Sequence, residues 1–324
     1  MNKKTIKIHQ MIRILLLTLH NVFFTLSGKY NLKKKCRILW AFCGVNWTIA
    51  AFCFNLYMTL YSKFGLFPSK KCDNKSNIIV SLTTFPGRIK SVWMVVDSIL
   101  HQKVLPSKIC LYLSEEEFPN GIQSLPDRLL QYQKNGLEIC FRKKNLMAHN
   151  KYFYALQEYK NNIVITIDDD FYYNNNMISN LLLLHETYPN VICSNTIHKL
   201  NFDSEKHFLP YKKWILRPLN QSPSLLNVAL GYNGVLYPPM DYGENIFDTE
   251  RIRNTSLKAD DLWLKACEIV AGIKVANGGY FCTGIEIRGS QAITLNQANV
   301  VNGENDKQWV KLCELFNIDY NTFN

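Results

Sequence analysis

The alternation of short apolar runs with amphipathic segments between residues 77 and 199 is what most restricts the fold of this 324-residue chain. Apolar runs, each of strand length, occupy residues 77–84, 109–114, 137–142, 163–167 and 191–195. Segments with apolar residues at helical spacing separate them, at residues 89–100, 125–134, 148–159 and 176–188. The alternation predicts an α/β fold with a Rossmann-like, nucleotide-binding type of topology: a mixed, mostly parallel sheet with helices on both faces.

The chain after residue 200 is looser and more aromatic. The segment Gly231 to Pro239 predicts a strand that two prolines terminate. Helical patterns follow at residues 259–272 and 307–316.

Positive charge is concentrated at the N-terminus. The net charge is +11, yet the first acidic residue is Asp73, and residues 1–72 contain twelve Lys or Arg. The remainder is close to neutral. A nucleic-acid partner is therefore not expected, because the predicted α/β domain at residues 73–324 carries no excess of positive charge.

The same N-terminal segment is strongly apolar. No charged residue occurs from Ile38 to Ser62, a length that can span a bilayer as a helix, and a shorter apolar run extends from Met11 to Leu26. Basic residues beside aromatic-rich apolar helices suit an anionic membrane surface. Residues 1–72 are thus predicted to be a membrane-associating helical segment. An in-plane or re-entrant anchor, a true span and a buried hairpin packed on the following domain all remain open.

The fourth predicted strand runs directly into three adjacent carboxylates, Asp168, Asp169 and Asp170. Ligands bind at the carboxyl ends of parallel strands, and one or two carboxylates together with substrate phosphates suit Mg²⁺ or Mn²⁺. If the strand persists, Asp168 and Asp170 face the same side, and the ion would neutralise a pyrophosphate leaving group. The alternative is a solvated acidic turn or a helix N-cap.

A second acidic pair, Asp260 and Asp261, stands at the predicted start of the helix at residues 259–272. Acids in a first turn cap a helix and complement its dipole. In a functional interpretation, one of them is a general base that deprotonates an acceptor hydroxyl.

Other common catalytic patterns are missing from the sequence. It has no G-x-x-x-x-G-K-[ST] loop, no G-x-G-x-x-G, no G-x-S-x-G and no histidine or cysteine pair with zinc-ligand spacing. These absences disfavour phosphate transfer of the P-loop kind and zinc catalysis.

Six motifs in order resemble a bacterial group of glycosyltransferase-like proteins with the GT-A fold, over residues 77–312. The motifs are T-T-F-P-G-R-I from Thr83, H-N-K-Y-F-Y-A-L-Q-E-Y from His149, V-I-T-I-D-D-D from Val164, N-G-V-L-Y-P-P from Asn233, A-D-D-L-W-L-K-A from Ala259 and N-D-K-Q from Asn305. The resemblance implies a nucleotide-sugar donor, Mn²⁺ or Mg²⁺ on the D-x-D acids, and transfer to a glycan or lipid-linked acceptor of a surface polysaccharide, either lipopolysaccharide or capsule. It also implies a donor half at residues 77–199 and an acceptor half at residues 200–324.

The resemblance assigns roles residue by residue. By this resemblance, Thr83, Thr84, Phe85 and Arg88 would bind the nucleotide, and Asn150 and Lys151 would bind the diphosphate or the sugar hydroxyls. Asp168 would contact the ribose or a metal-bound water, and Asp170 together with Asp168 would hold the metal. Tyr232 and Asn233 would line the sugar pocket, and Asp261 or Asp260 would be the general base. Asp169 is the least defined of the donor-site acids. The G-Y-N-G sequence departs from a more glycine-rich pattern, which leaves the donor sugar open.

A second departure concerns the metal. His207 is the last histidine, so water, diphosphate oxygens or a late acid such as Asp306 would complete the shell in place of a C-terminal histidine. Arg288 is a further residue that could assist the leaving group.

The sequence favours an inverting single displacement without excluding retention. A nucleotidyltransferase or phosphohydrolase using the same acids, and a non-catalytic membrane-bound sugar-binding protein, are the alternatives. Because bacterial nucleotide sugars are cytoplasmic, we expect the protein to associate with the cytoplasmic face of the inner membrane. A true span would instead place the catalytic domain outside the cytoplasm, as in a type II membrane protein.

Overall fold

The structure is a computed structural model that describes residues 3–29, 37–64, 70–218, 221–278, 284–288 and 303–323. In chain order its helices are α1 (Lys3–Lys29), α2 (Arg37–Lys63), α3 (Val92–Ile99), α4 (Asp127–Leu130), α5 (Asn150–Glu158), α6 (Met177–Thr187), α7 (Thr249–Thr255), α8 (Asp260–Val270) and α9 (Glu304–Phe316). Its strands are β1 (Ile78–Thr83), β2 (Lys108–Ser114), β3 (Leu137–Arg142), β4 (Ile163–Thr166), β5 (Phe171–Tyr173), β6 (Ile192–Ser194), β7 (Ile197–Lys199), β8 (Ile215–Leu216), β9 (Gln221–Ser224), β10 (Asn227–Ala229), β11 (Val235–Tyr237), β12 (Val275–Asn277) and β13 (Gly284–Glu286).

An eight-stranded sheet in the order β3-β2-β1-β4-β11-β6-β12-β9 forms the centre of the molecule. The first four strands are parallel, and β11 runs antiparallel between β4 and β6. Helices α5 and α8 pack on one face, whereas α3 and α6 pack on the other. The inner strands β2, β1, β4, β11, β6 and β12 are almost continuously buried because both faces are covered. The predicted α/β fold with a mixed, mostly parallel sheet is confirmed.

The predicted helix at residues 125–134 is only partly regular. A single α-turn, α4, follows Pro126, and residues Gln131–Asn135 form a 3₁₀-helix that ends at Gly136 with φ +107°. The buried Tyr132 hydroxyl donates to Asp97 Oδ1 at 2.8 Å. Tertiary packing of this ring, together with the left-handed exit into β3, replaces the longer helix.

The acids of the triplet lead into a small two-stranded sheet. Strand β5 begins at Phe171, directly after Asp170, and pairs antiparallel with β13, so that Glu286 lies opposite Phe171. Gly284 has φ +142°, and a Cβ there would lie 2.1 Å from the carbonyl oxygen of Tyr172. Only glycine allows this close pairing.

Helices α1 and α2 pack against each other and against the α/β domain. Leu17, Phe54 and Met58 are buried in the same core cluster as α3 and α6. The opposite face exposes large apolar side chains, which include Met11 and Phe42. Residues Ala41–Lys63 are long and apolar enough to cross a membrane by length and composition alone. The segment therefore packs on the domain with one face and presents an apolar surface with the other.

Candidate active site

A cleft of about 750 Å³ opens at the carboxyl ends of β1 and β4. Its volume lies in the range of small-molecule and cofactor sites. Most of the residues predicted to form a site line this cleft, and these are Thr83, Thr84, Phe85, Arg88, Lys151, Asp168, Asp169, Asp170, Tyr232, Asp260 and Asp261. The tertiary fold thus gathers residues from five separate segments of the chain into one cavity.

Arg88 holds two of the three adjacent acids. Its Nη1 lies 2.5 Å from Asp169 Oδ1 and 3.2 Å from Asp170 Oδ2, and Thr84 Oγ1 donates to Asp169 Oδ2 at 2.5 Å. Strand β4 ends at Thr166, so the condition for a strand-like alternation of Asp168 and Asp170 is not met. Asp169, which the sequence left least defined, joins the β1 loop to the acid triplet.

Asp170 is a buried carboxyl group that lies among other negative charges. Burial raises its pKa to about 7, and the neighbouring charges of Asp168 and Asp169 act in the same direction against Arg88. Glu286 adds a further negative charge from β13 and also lines the cleft. No sequence motif indicated Glu286, because only the pairing of β13 with β5 brings it beside Asp170.

Lys151 joins the two acidic clusters. Its Nζ lies 2.6 Å from Asp168 Oδ1 and 2.8 Å from Asp260 Oδ2, and the residue is only 3% exposed. Burial alone would lower its pKa, but Asp168, Asp260 and Asp261 hold the pKa well above its ordinary value. Lys151 is therefore a permanent cation between the end of β4 and the start of α8.

The two acids of α8 have opposite electrostatics. Burial would raise the pKa of Asp260, yet Lys151 and then His149 hold it below the ordinary value. Burial and the adjacent Asp260 charge raise the pKa of Asp261 well above its ordinary value. Ala259 is the N-cap and makes no side-chain capping bond, whereas Asp261 Oδ1 accepts from the Gly231 N–H at 3.2 Å. The two adjacent carboxyl groups therefore have pKa values that are shifted in opposite directions.

Gly231 lies beside both acidic clusters. A Cβ at this position would lie 2.8 Å from Lys151 Nζ and 3.1 Å from Asp168 Oδ1. The first glycine of G-Y-N-G therefore leaves the space that the ion pair occupies. The motif signalled this residue, but the sequence did not reveal its partners.

Two predicted residues lie outside the lining of the cleft. Asn150 Oδ1 accepts from the Leu146 N–H at 3.3 Å and so supports the turn before α5. Asn233, 1% exposed, donates from Nδ2 to Thr196 Oγ1 at 2.6 Å. Both side chains hold backbone or neighbouring groups in place. Tyr232, by contrast, does line the cleft, beside Phe171 and Arg217.

Asp168 and Asp170 provide carboxylate oxygens, which are ligands that suit a hard divalent cation. Within the described residues, no group of three or more His, Cys, Asp or Glu side chains could hold a metal ion by itself. An ion would therefore need substrate phosphate oxygens as well, which is the usual arrangement for Mg²⁺.

Two residues suggested to support the metal or the leaving group face elsewhere. Asp306 Oδ1 accepts from the Tyr211 N–H at 2.6 Å. The guanidinium of Arg288 lies 5.2 Å from the ring centroid of Phe52 in α2. Neither residue lines the cleft.

Comparisons with protein-family models and with curated proteins find no match. Among solved structures, S. aureus TarS 1–349 is similar with a TM-score of 0.42 and 12% identity, over 74% of this chain and 71% of that one. The mannosyltransferase PcManGT from Pyrobaculum calidifontis, in complex with GDP-Man and Mn²⁺, has a TM-score of 0.43 and 12% identity, over 85% and 78% of the two chains. HddC from Yersinia pseudotuberculosis has a TM-score of 0.30 and 10% identity, over 53% and 78%. Likenesses this distant do not decide the activity, which has to be inferred from the cleft itself.

Proposed function

We propose that this protein is a metal-dependent glycosyltransferase. It would move a sugar from a nucleoside-diphosphate sugar to a hydroxyl of a glycan or lipid-linked acceptor in surface polysaccharide synthesis. The observation that carries the proposal is the convergence of two acidic clusters, Asp168–Asp170 and Asp260–Asp261, on one cleft through a buried lysine. One cluster suits a phosphate-bound cation, and the other suits proton transfer.

The donor would occupy the side of the cleft formed by the end of β1. Thr83, Thr84 and Phe85 would contact the nucleotide, and Arg88 would hold the acid triplet in register with them. Asp170 and Asp168 would hold Mn²⁺ or Mg²⁺, which when bound neutralises charge on a diphosphate leaving group. Tyr232 lies beside Phe171, where the transferred sugar would bind.

Asp261 is the preferred general base. It is half-buried and lines the cleft, whereas Asp260 is engaged by Lys151. The acceptor oxygen would attack the anomeric carbon while the bond from that carbon to the diphosphate oxygen breaks and Asp261 takes the hydroxyl proton. The fixed negative charge of Asp260 makes Asp261 a stronger base. Such a single displacement inverts the anomeric centre.

The N-terminal segment would bring the enzyme to its acceptor. The outer face of α1 and α2 is apolar, and twelve basic residues precede Asp73. Both features suit helices that would lie in the plane of an anionic membrane surface, at the cytoplasmic face. Asn55 in α2 contacts the backbone of β13, which supports a helix lying along the domain. A C-terminal reporter that signals from the periplasm would contradict this placement.

The test is a donor panel. The full chain, purified in detergent, is incubated with nucleotide sugars and Mn²⁺, and release of nucleoside diphosphate is followed. We expect slow hydrolysis of one donor that EDTA abolishes and Mn²⁺ restores. Asp170→Asn should abolish it, whereas Asp127→Asn, at an exposed position on α4, should not. Full activity of Asp170→Asn would rule out the metal role. Conversion of a nucleotide sugar and added pyrophosphate to nucleoside triphosphate and sugar 1-phosphate would indicate a nucleotidyltransferase instead, and release of nucleoside monophosphate and sugar 1-phosphate would indicate a phosphohydrolase.

A further inference from the structure

The N-terminal helices α1 and α2 contact strand β5, which directly follows the acid triplet. Arg13 of α1 donates from Nη1 to the Tyr172 hydroxyl at 3.0 Å, and that hydroxyl donates to Asp97 Oδ2 at 2.8 Å. The ring of Phe54 from α2 meets the Tyr172 ring edge-on at 4.7 Å. Tyr172 follows Asp170 by two residues, so α1 and α2 contact the strand that leaves the site.

A second attachment lies on the neighbouring strand. Asn55 of α2 donates from Nδ2 to the Glu286 carbonyl at 3.0 Å, and its Oδ1 accepts from the Arg288 N–H at 2.8 Å. Between these two bonds, the Ile287 N–H donates to the Asp170 carbonyl at 2.8 Å. One asparagine side chain thus connects a membrane-type helix to the backbone of Asp170 through a single intervening residue.

These bonds matter because the supported element is small. The sheet of β5 and β13 contains two strands of three residues each, and an isolated two-stranded sheet is marginally stable at best. Asp170 and Glu286 stand at its cleft end, while Tyr172 and Asn55 are buried at the opposite side. Polar side chains buried in apolar helices are costly unless they are bonded, and both Arg13 and Asn55 make their bonds across to this element.

We propose that Arg13 and Asn55 are positioning residues for the donor site. The paired helices α1 and α2 form an integral support that fixes the placement of Asp170 and Glu286 in the cleft, in addition to contacting the membrane. The catalytic meaning of this support rests on the proposed function, because it takes Asp170 to be part of the donor site. The structural connection itself is independent of the reaction.

The test compares two asparagines of the same helix. Asn55→Leu removes the bonds to Glu286 and Arg288 and a bond to the Ala51 carbonyl within α2. Asn46→Leu is the matched control, because it removes the corresponding bond within α2, from the Asn46 amide to the Phe42 carbonyl. Hydrogen exchange is measured on the full chain in detergent. We expect amides of residues 168–173 and 284–288 to exchange at least about tenfold faster in Asn55→Leu, with strand β2 unchanged. Asn46→Leu should match the wild type.

Activity provides a second readout. Asn55→Leu should raise the Mn²⁺ concentration needed for half-maximal donor hydrolysis and lower kcat. The urea midpoint for unfolding of the whole protein should stay the same. Equal exchange and equal metal requirement in Asn55→Leu and Asn46→Leu would overturn the proposal. So would faster exchange spread evenly over the whole sheet, which indicates a general packing role.

Arg13→Met serves if Asn55→Leu does not fold, since it removes the bond from α1 to the Tyr172 hydroxyl and leaves the bond from that hydroxyl to Asp97. The same pattern of local exchange is expected, and its absence would overturn the proposal. A wild-type protein that hydrolyses no nucleotide sugar would refute the proposed function, yet the exchange comparison would still decide whether the helices hold this element.

Discussion

Lys151 is the residue whose replacement should reveal most about the site. Its ammonium group is 2.6 Å from Asp168 and 2.8 Å from Asp260, and its side chain is 4% exposed. Lys151→Met keeps much of the volume and removes the charge. The Asp260 carboxylate is then buried without its counter-charge, while the Asp168 side chain is 32% exposed. Removing one partner of a buried ion pair costs about 3–5 kcal/mol, and we expect a loss of this size in the free energy of unfolding.

The measurement is urea unfolding of the full chain in detergent, with Lys108→Met as the matched control. Lys108 also forms an ion pair, with Glu138 at 2.5 Å, but its side chain is 38% exposed. Exposed pairs contribute about 0.2–1 kcal/mol, so the same substitution should be nearly neutral there. The double variant Lys151→Met/Asp260→Asn should recover at least about 1 kcal/mol, since coupled neighbours are not additive.

The reasoning would fail if Lys151→Met and Lys108→Met unfolded within about 1 kcal/mol of each other, which is the upper range for an exposed pair. Such a result would mean that water or relaxed carboxylates replace the lysine without loss. Retained donor hydrolysis in Lys151→Met would further show that the two acidic clusters act independently.

Three further predictions concern the same cleft and its support. Asp261→Asn should lower the rate of transfer to an acceptor by roughly 100- to 10,000-fold, the contribution of a general base, and unchanged transfer would assign the base elsewhere. Gly231→Ala should lower kcat by roughly 10- to 100-fold, because the added methyl group would lie 2.8 Å from the ammonium of Lys151. Gly44→Ala is the control, since the nearest atom to its methyl group would be 3.7 Å away. Equal kcat in the two variants would contradict the close contact between Gly231 and Lys151. Burial would raise the pKa of Asp97, but His101 and Arg13 hold it below the ordinary value. Its stabilisation is therefore present at neutral pH and lost as the pH falls below about 3.9 toward the folded-state value, so the cost of Asp97→Asn in urea unfolding should shrink at acid pH.

The sequence by itself determined the elements and their order. Apolar runs such as Ile163–Thr166 must be buried on both faces, and their alternation with amphipathic helices leaves few arrangements other than a mostly parallel sheet. The sequence alone therefore places the acid triplet after β4 at the ligand-binding edge of the sheet. These features depend on local periodicity, which the chain carries residue by residue.

Only the tertiary structure decided the partners of each acid. Lys151 meets Asp260 across more than one hundred residues, and Glu286 meets Asp170 through the pairing of β13 with β5. Local spacing contains no information on such contacts. The same holds for Asn150 and Asn233, whose motif positions suggested ligand contacts and whose amides instead hold the chain.

The N-terminal helices show the same division. Composition predicted an apolar, basic segment, and the structure gives that segment one face toward the domain and one face outward. Arg13 and Asn55 face the domain because Tyr172 and the Glu286 carbonyl lie within hydrogen-bond reach there. A buried polar side chain needs such a partner, and the sequence does not show where that partner lies.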